Sequence, residues 1–105
     1  MMKQKLKSLD IHTLYEIDQK RLAIDLGCQL HQLQARVTIG GLIEVIRQYH
    51  QIILYTVDEC WCVQLFEHDE ATNDAESCCY ENSGTELIEL LYTTMEWIYD
   101  RLNDN

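Results

Sequence analysis

No proline occurs in the 105 residues, and glycine occurs four times, at Gly27, Gly40, Gly41 and Gly84. Proline-rich spacers and flexible glycine-rich linkers are thereby excluded, and so is a glycine-rich phosphate loop. No apolar run approaches the ~18 residues that a membrane span needs. The start, Met1 to Lys7, is basic but lacks the apolar stretch of a signal peptide. A cytoplasmic protein is therefore expected, with residues 1–7 a frayed basic tail. Bases are scarce, eight against 18 acids, for a net charge of −10. The remainder is ordinary. With 47% hydrophobic and 25% charged residues, the chain suits a single domain over 1–105 that buries its own core.

The acidic excess is unevenly placed. Residues 1–57 hold seven bases against five acids, whereas residues 58–105 hold Arg101 alone against 13 acids. Phosphate backbones need Lys and Arg counterparts, so the second half is not expected to bind nucleic acid or an anionic membrane. Its field would steer it toward a basic protein.

Periodicity and end signals predict an α+β fold in the order ααβββα, a three-stranded antiparallel meander with two or three N-terminal helices and one long C-terminal helix. Residues 9–26 suit a helix, with Ser8 or Asp10 as cap and Gly27 as stop. Leu26, Leu30, Leu33 and Val37 continue a helical stripe, which Thr38-Ile39-Gly40-Gly41 breaks before a short helix over 41–50. The period then changes. Gln51 to Val57 is β-branched and aromatic, Asp58-Glu59 is a tight turn, and Cys60 to Glu67 is a second strand, an antiparallel hairpin. His68 to Asp74 reads as an acidic loop and residues 76–81 as an edge-like third strand. Ser83 and Glu86 stand at capping-box spacing before a helix over about 84–102, whose buried stripe is Leu87, Leu91, Thr94, Ile98 and Leu102. Both hairpin faces are apolar. One needs the C-terminal helix; the other needs the N-terminal helices or a second copy of the chain.

At ~100° per residue, Glu86, Glu89, Thr93, Glu96 and Asp100 fall within about 80° of arc, opposite that stripe. Like charges at this spacing cost a helix ~0.2–0.5 kcal/mol per pair, and a face kept only for solubility usually mixes signs. Glu86, Glu89, Glu96 and Asp100 are therefore the candidate contacts to a basic partner, supported by Glu67, Asp69 and Glu70. Tyr92, Tyr99 and Trp97 border the stripe. Trp97 is the candidate aromatic anchor, able to meet arginine by stacking.

The five cysteines, Cys28, Cys60, Cys62, Cys78 and Cys79, are odd in number, which argues against a secreted disulfide framework. Cys60 and Cys62 share a strand face, and with Cys78 and His68 they form the candidate set for a zinc-binding module. Their C-x-C spacing on a strand is unlike a zinc knuckle, and packing as small hydrophobes is the plain alternative. A thiolate nucleophile needs an oxyanion site, and the chain carries neither a nucleophile elbow nor a His-Glu-x-x-His zinc helix. No enzyme activity and no cofactor are expected.

The layout of residues 51–102 resembles small phage-encoded sandwich domains of unknown function. The shared elements are a strand, the Trp-containing strand Cys60-Trp61-Cys62-Val63, an acidic loop, and a helix opened by Gly84-Thr85-Glu86-Leu87-Ile88. Size and charge are similar to those of phage anti-CRISPR and DNA-mimic proteins. The resemblance implies a non-enzymatic inhibitor that occludes the basic nucleic-acid channel of a partner. The rival readings are a homo-oligomeric module, with two copies pairing through the unused sheet face, and the zinc module.

Overall fold

The computed structural model describes residues 16–67 and 78–104, with side chains from Asp18 onward. Helix α1 spans Glu16–Leu26, and Gly27, at φ +75°, stops it in the left-handed conformation that glycine adopts without penalty. The expected caps Ser8 and Asp10, and the basic tail 1–7, lie outside the described residues. The single helical stripe read over 28–37 is instead a 3-10 turn, Leu30–Gln32, followed by a one-turn helix α2, Leu33–Arg36. Leu33 and Val37 are buried, but Leu30 is exposed.

Helix α3 spans Ile39–Tyr49, so the supposed break at residues 38–41 is its first turn. The Thr38 hydroxyl accepts the Gly41 N–H at 3.0 Å, which makes Thr38 an N-cap. Gly41 is there for closeness. A Cβ at that position would stand 3.1 Å from both Leu26 Cδ2 and Thr38 Oγ1, so the glycine lets α1 and α3 meet.

Strands β1 (Gln51–Val57), β2 (Cys60–Phe66) and β3 (Cys78–Gly84) form an antiparallel meander in the order β1-β2-β3. The expected hairpin register is present, with Val57 opposite Cys60 across the turn at Asp58-Glu59. The third strand departs from the reading over 76–81. It runs to Gly84, and Ser83 pairs with Cys62 instead of capping a helix. Pairing with β2 outcompetes the capping box. Glu86 becomes the N-cap, with no side-chain bond to the helix, and helix α4 spans Leu87–Asn103.

Val63 and Leu65 of β2 meet Leu90, Leu91, Met95 and Ile98 of α4 in one buried cluster, joined by Leu42, Val45 and Ile46 of α3 and Leu22 of α1. Because α4 is gripped by the sheet on one side and α3 on another, its buried arc is wider than a single stripe. Leu91, Thr94 and Ile98 are buried as expected, Leu87 is half-buried, and Leu102 is exposed. Tyr92 and Tyr99, read as flanking aromatics, lie in the core. The N-terminal helices pack beside α4, and among the described residues no helix covers the other sheet face. Ile53 (48% exposed) and Val57 (51%) lie there, and Tyr55, Cys60, Cys62, Phe66 and Cys78 stand apart from the core cluster.

Among the described residues, no helix is long and apolar enough to cross a membrane.

Candidate functional site

Three places in the fold gather polar chemistry: the solvent face of α4, a half-buried knot between α1, α3 and α4, and one end of the sheet.

On α4, Glu86, Glu89 and Asp100 are exposed, and none of them, nor Glu96, makes an ion pair among the described residues. Glu86, Glu89 and Thr93 line an open cleft of about 300 Å³, closed on its other side by Asn82, Ser83, Gly84 and Thr85. The end of β3 and the start of α4 make this cleft, so it exists only because the strand runs on to Gly84. Glu96 differs from its neighbours. It is half-buried, and burial, then the nearby Asp100 and Asp18 carboxylates, push its carboxyl above the usual value. Asp18 itself is buried, where it accepts the Asn103 side-chain N–H at 3.1 Å.

This difference gives a pH prediction. A carboxyl whose folded-state pKa is raised takes up a proton on the folded chain before the unfolded one. Stability attributable to Glu96 should therefore rise as pH falls from neutrality toward 4.5, the ordinary value, and level off below it. Glu96→Gln should remove that limb of the stability–pH curve, read by chemical denaturation at several pH values. An unchanged limb would place its origin elsewhere.

The supporting acids are not a continuation of the α4 face. Glu67 faces Arg101 at 3.5 Å, so its charge is answered within the chain. Asp69 and Glu70 lie outside the described residues. Trp97 is half-buried and engaged. Its ring stacks on Tyr80 at 4.7 Å and on His50 at 5.8 Å, and the Arg101 guanidinium lies over it at 4.8 Å. The arginine that a partner was expected to supply is the chain's own.

The half-buried knot was not read from the sequence. Asp25 Oδ2 accepts the Tyr49 hydroxyl at 2.6 Å and the Tyr99 hydroxyl at 2.9 Å. The two phenol rings meet edge to face at 6.2 Å, and the Arg21 guanidinium lies 5.6 Å from the Tyr99 ring centroid. Burial, then the hydrogen bond to Asp25, pushes the Tyr49 phenol up to about 12; burial and Asp25 raise Tyr99 further in the same direction. Asp25 and Arg21 are one turn apart on α1, but the hydrogen-bond partners of Asp25 stand 24 and 74 residues away, beyond any spacing rule. The arrangement ties three helices together.

Of the candidate zinc set, Cys60, Cys62 and Cys78 lie on the open sheet face and do not converge to ligand distance; His68 lies outside the described residues. The group that does converge, among the described residues, is His50, Glu67 and Cys79. His50 directly precedes β1, Glu67 directly follows β2, and Gln51 pairs with Phe66, so the first two stand at adjoining strand ends. The β2–β3 register passes from Leu65–Tyr80 to Phe66–Cys78, which leaves Cys79 as the extra residue of a bulge. Bulges re-aim side chains. Here Cys79 packs with the core side, whereas Cys78 does not. Burial, then the Glu67 charge, pushes the Cys79 thiol up, against a smaller opposing effect of Arg101. A raised thiol is a poor nucleophile at neutral pH.

Comparison of the chain with protein-family models, with curated proteins and with solved structures finds no match. The residues and their geometry are therefore the whole basis for a functional reading.

Proposed function

We propose that this chain is a non-enzymatic binding protein of the cytoplasm whose α4 carboxylate face docks on a cation-rich protein surface. The observation that carries the reading is the exposure of Glu86, Glu89 and Asp100 with no cation of the described residues paired to them, while Arg101 pairs with Glu67. At 1.5 Å rise per residue, Glu89 and Asp100 are ~16 Å apart along the helix. That span suits several Lys or Arg side chains of one groove. The carboxylates are sparser than the phosphates of a nucleic-acid strand, one per ~3.4 Å, so the face answers scattered cations and does not copy a backbone. A nucleic-acid-binding protein is the partner class that fits, because its channel holds such cations unpaired when empty, and an inhibitor of the anti-CRISPR kind would act by filling it. Free thiols at all five cysteines support a reducing compartment.

The test is capture of basic nucleic-acid-binding proteins on the immobilised chain. Capture is expected at ~0.1 M salt and loss at ~1 M, as the Debye length falls from ~10 to ~3 Å. Added duplex DNA should displace the captured protein. Glu86→Lys with Glu89→Lys should cut affinity by roughly 100-fold and leave the fold intact, since both side chains are exposed. Undiminished capture by that variant, or capture indifferent to salt, would sink the proposal.

A second reading rests on the open sheet face. A chain of net −10 self-associates most readily through a surface with few carboxylates, and the Ile53, Tyr55, Val57, Cys62 and Phe66 face carries one from its strands, Glu81, which accepts a hydrogen bond from the Gln64 side chain at 3.3 Å. Two copies could meet there in an isologous dimer. Light scattering should then give twice the chain mass at both low and high salt, and Ile53→Lys should return the monomer. A monomer at all concentrations ends this reading.

A further inference from the structure

The end of the sheet carries a constellation that the docking face does not use. One side-chain atom each of His50, Glu67 and Cys79 lies within 4.8 Å of the other two. The three come from three different strand ends, so the meander itself sets their spacing, and the bulge at Cys79 turns the thiol toward the other two. We propose that His50, Glu67 and Cys79 form a three-ligand site for a late first-row divalent cation, Zn²⁺ above all, whose position is held in this structure by the Arg101 guanidinium.

The donor set selects the ion. Calcium and magnesium take oxygen ligands, whereas imidazole nitrogen with thiolate sulfur suits zinc, cobalt and their neighbours. Zinc bonds of ~2.0–2.3 Å put tetrahedral ligand atoms roughly 3.4–3.8 Å apart, so donors that lie within 4.8 Å of one another need close by no more than about 1 Å. The closing movement falls to Glu67. Its side chain is 49% exposed at the end of a strand and is free to turn, whereas His50 is 93% buried against the Trp97 ring and the Cys79 thiol is anchored on the Leu65 carbonyl at 3.5 Å. Three protein ligands leave a fourth position for water or another small ligand, the pattern of an open site.

Arg101 occupies the same ground as a cation. It bonds Glu67 at 3.5 Å and interacts with Cys79. Its side chain is 48% exposed and lies over Trp97, so it can release Glu67 while keeping its place on the indole ring. On loading, Cys79 binds as thiolate and its proton goes to solvent, while Glu67 exchanges one positive partner for a stronger one. This site is independent of the α4 docking face, and its test needs no partner protein.

The experiment is titration of the full-length chain with Co²⁺, followed by competition with Zn²⁺. One equivalent of cobalt should bring visible d–d bands of low coordination number and a near-ultraviolet thiolate-to-cobalt band, both displaced by zinc. Cys79→Ser should abolish the thiolate band and weaken binding by roughly 100-fold, whereas joint Cys60→Ser, Cys62→Ser and Cys78→Ser substitution should keep it. Glu67→Gln, at an exposed position, should weaken cobalt binding without touching the fold. Arg101→Gln should tighten it, by roughly tenfold, because a competing charge is removed. Absence of the band at one equivalent, or a band that survives Cys79→Ser, would overturn the site. If Cys79→Ser does not fold, Glu67→Gln and Arg101→Gln decide: unchanged affinity in both overturns it as well.

Discussion

Replacing Asp25 by alanine is expected to destabilise the protein by about 3 kcal/mol, the loss of two hydrogen bonds to a charged acceptor at the lower end of their usual worth. The Tyr49 and Tyr99 hydroxyls, now 2.6 and 2.9 Å from the same carboxylate oxygen, would lose their acceptor together. In a chain of 105 residues the effect should lower the melting temperature by roughly 15 °C. Asp25→Asn keeps an acceptor but not the charge, so it should cost less, ~1 kcal/mol. A melting temperature within a few degrees of the parent for Asp25→Ala would show that the knot is incidental to stability.

The same knot sets the alkaline limit. Both phenols hold their protons on the folded chain above their ordinary value of 10.0, Tyr49 to about 12. The unfolded chain gives up those protons first, so stability should fall as pH rises past 10. In Asp25→Ala the decline should be shallower, because the carboxylate that opposes phenolate formation is gone. Tyrosinate absorbance followed beside circular dichroism would separate phenols that ionise on the folded chain from those that ionise only on unfolding.

Truncating Trp97 is the second large effect. Full burial of a tryptophan makes its loss worth ~3–5 kcal/mol, and half-burial brings the expectation to about 2–3. The ring supports Tyr80 at 4.7 Å, His50 at 5.8 Å and Arg101 at 4.8 Å, so Trp97→Ala removes the packing between α4, β3 and the start of β1. Trp97→Phe should recover most of it. This experiment separates two roles the sequence left open. A partner-binding anchor lost to alanine would leave the melting temperature unchanged and reduce capture. The observed stacking predicts a lowered melting temperature, with capture by the intact fraction retained.

The β1–β2 hairpin was legible almost residue by residue. A run such as Gln51 to Val57, followed by two turn residues and a second β-rich run, has few other ways to satisfy its backbone. The acidic character of residues 58–105 was equally plain, since charge is counted and needs no fold. The exposed side of α4 followed from periodicity, because the apolar positions must face inward wherever the helix lies. The boundary at residues 82–86 did not follow. Ser83 and Glu86 carry a valid capping pattern, and Ser83 also has a strand partner in Cys62; only the assembled sheet decides that the pairing wins.

The candidate sites divide along the same line. Glu86, Glu89 and Asp100 were visible because they belong to one helix with one period. The Asp25 knot and the His50, Glu67 and Cys79 group were not, because each joins side chains from three elements. Their closeness depends on register, on one bulge and on how helices cross. Burial is likewise a tertiary decision. Tyr92 and Tyr99 sit at the edge of the α4 stripe on a helical wheel, yet they lie inside because α3 covers that edge. Sequence by itself determined the β1–β2 hairpin, the presence of a long C-terminal helix and where the charge lies, since those depend on neighbours in the chain. The tertiary structure alone decided which polar groups meet, which acids pair with a base of the described residues and which sheet face the helices cover, since those depend on distances between residues the chain keeps far apart.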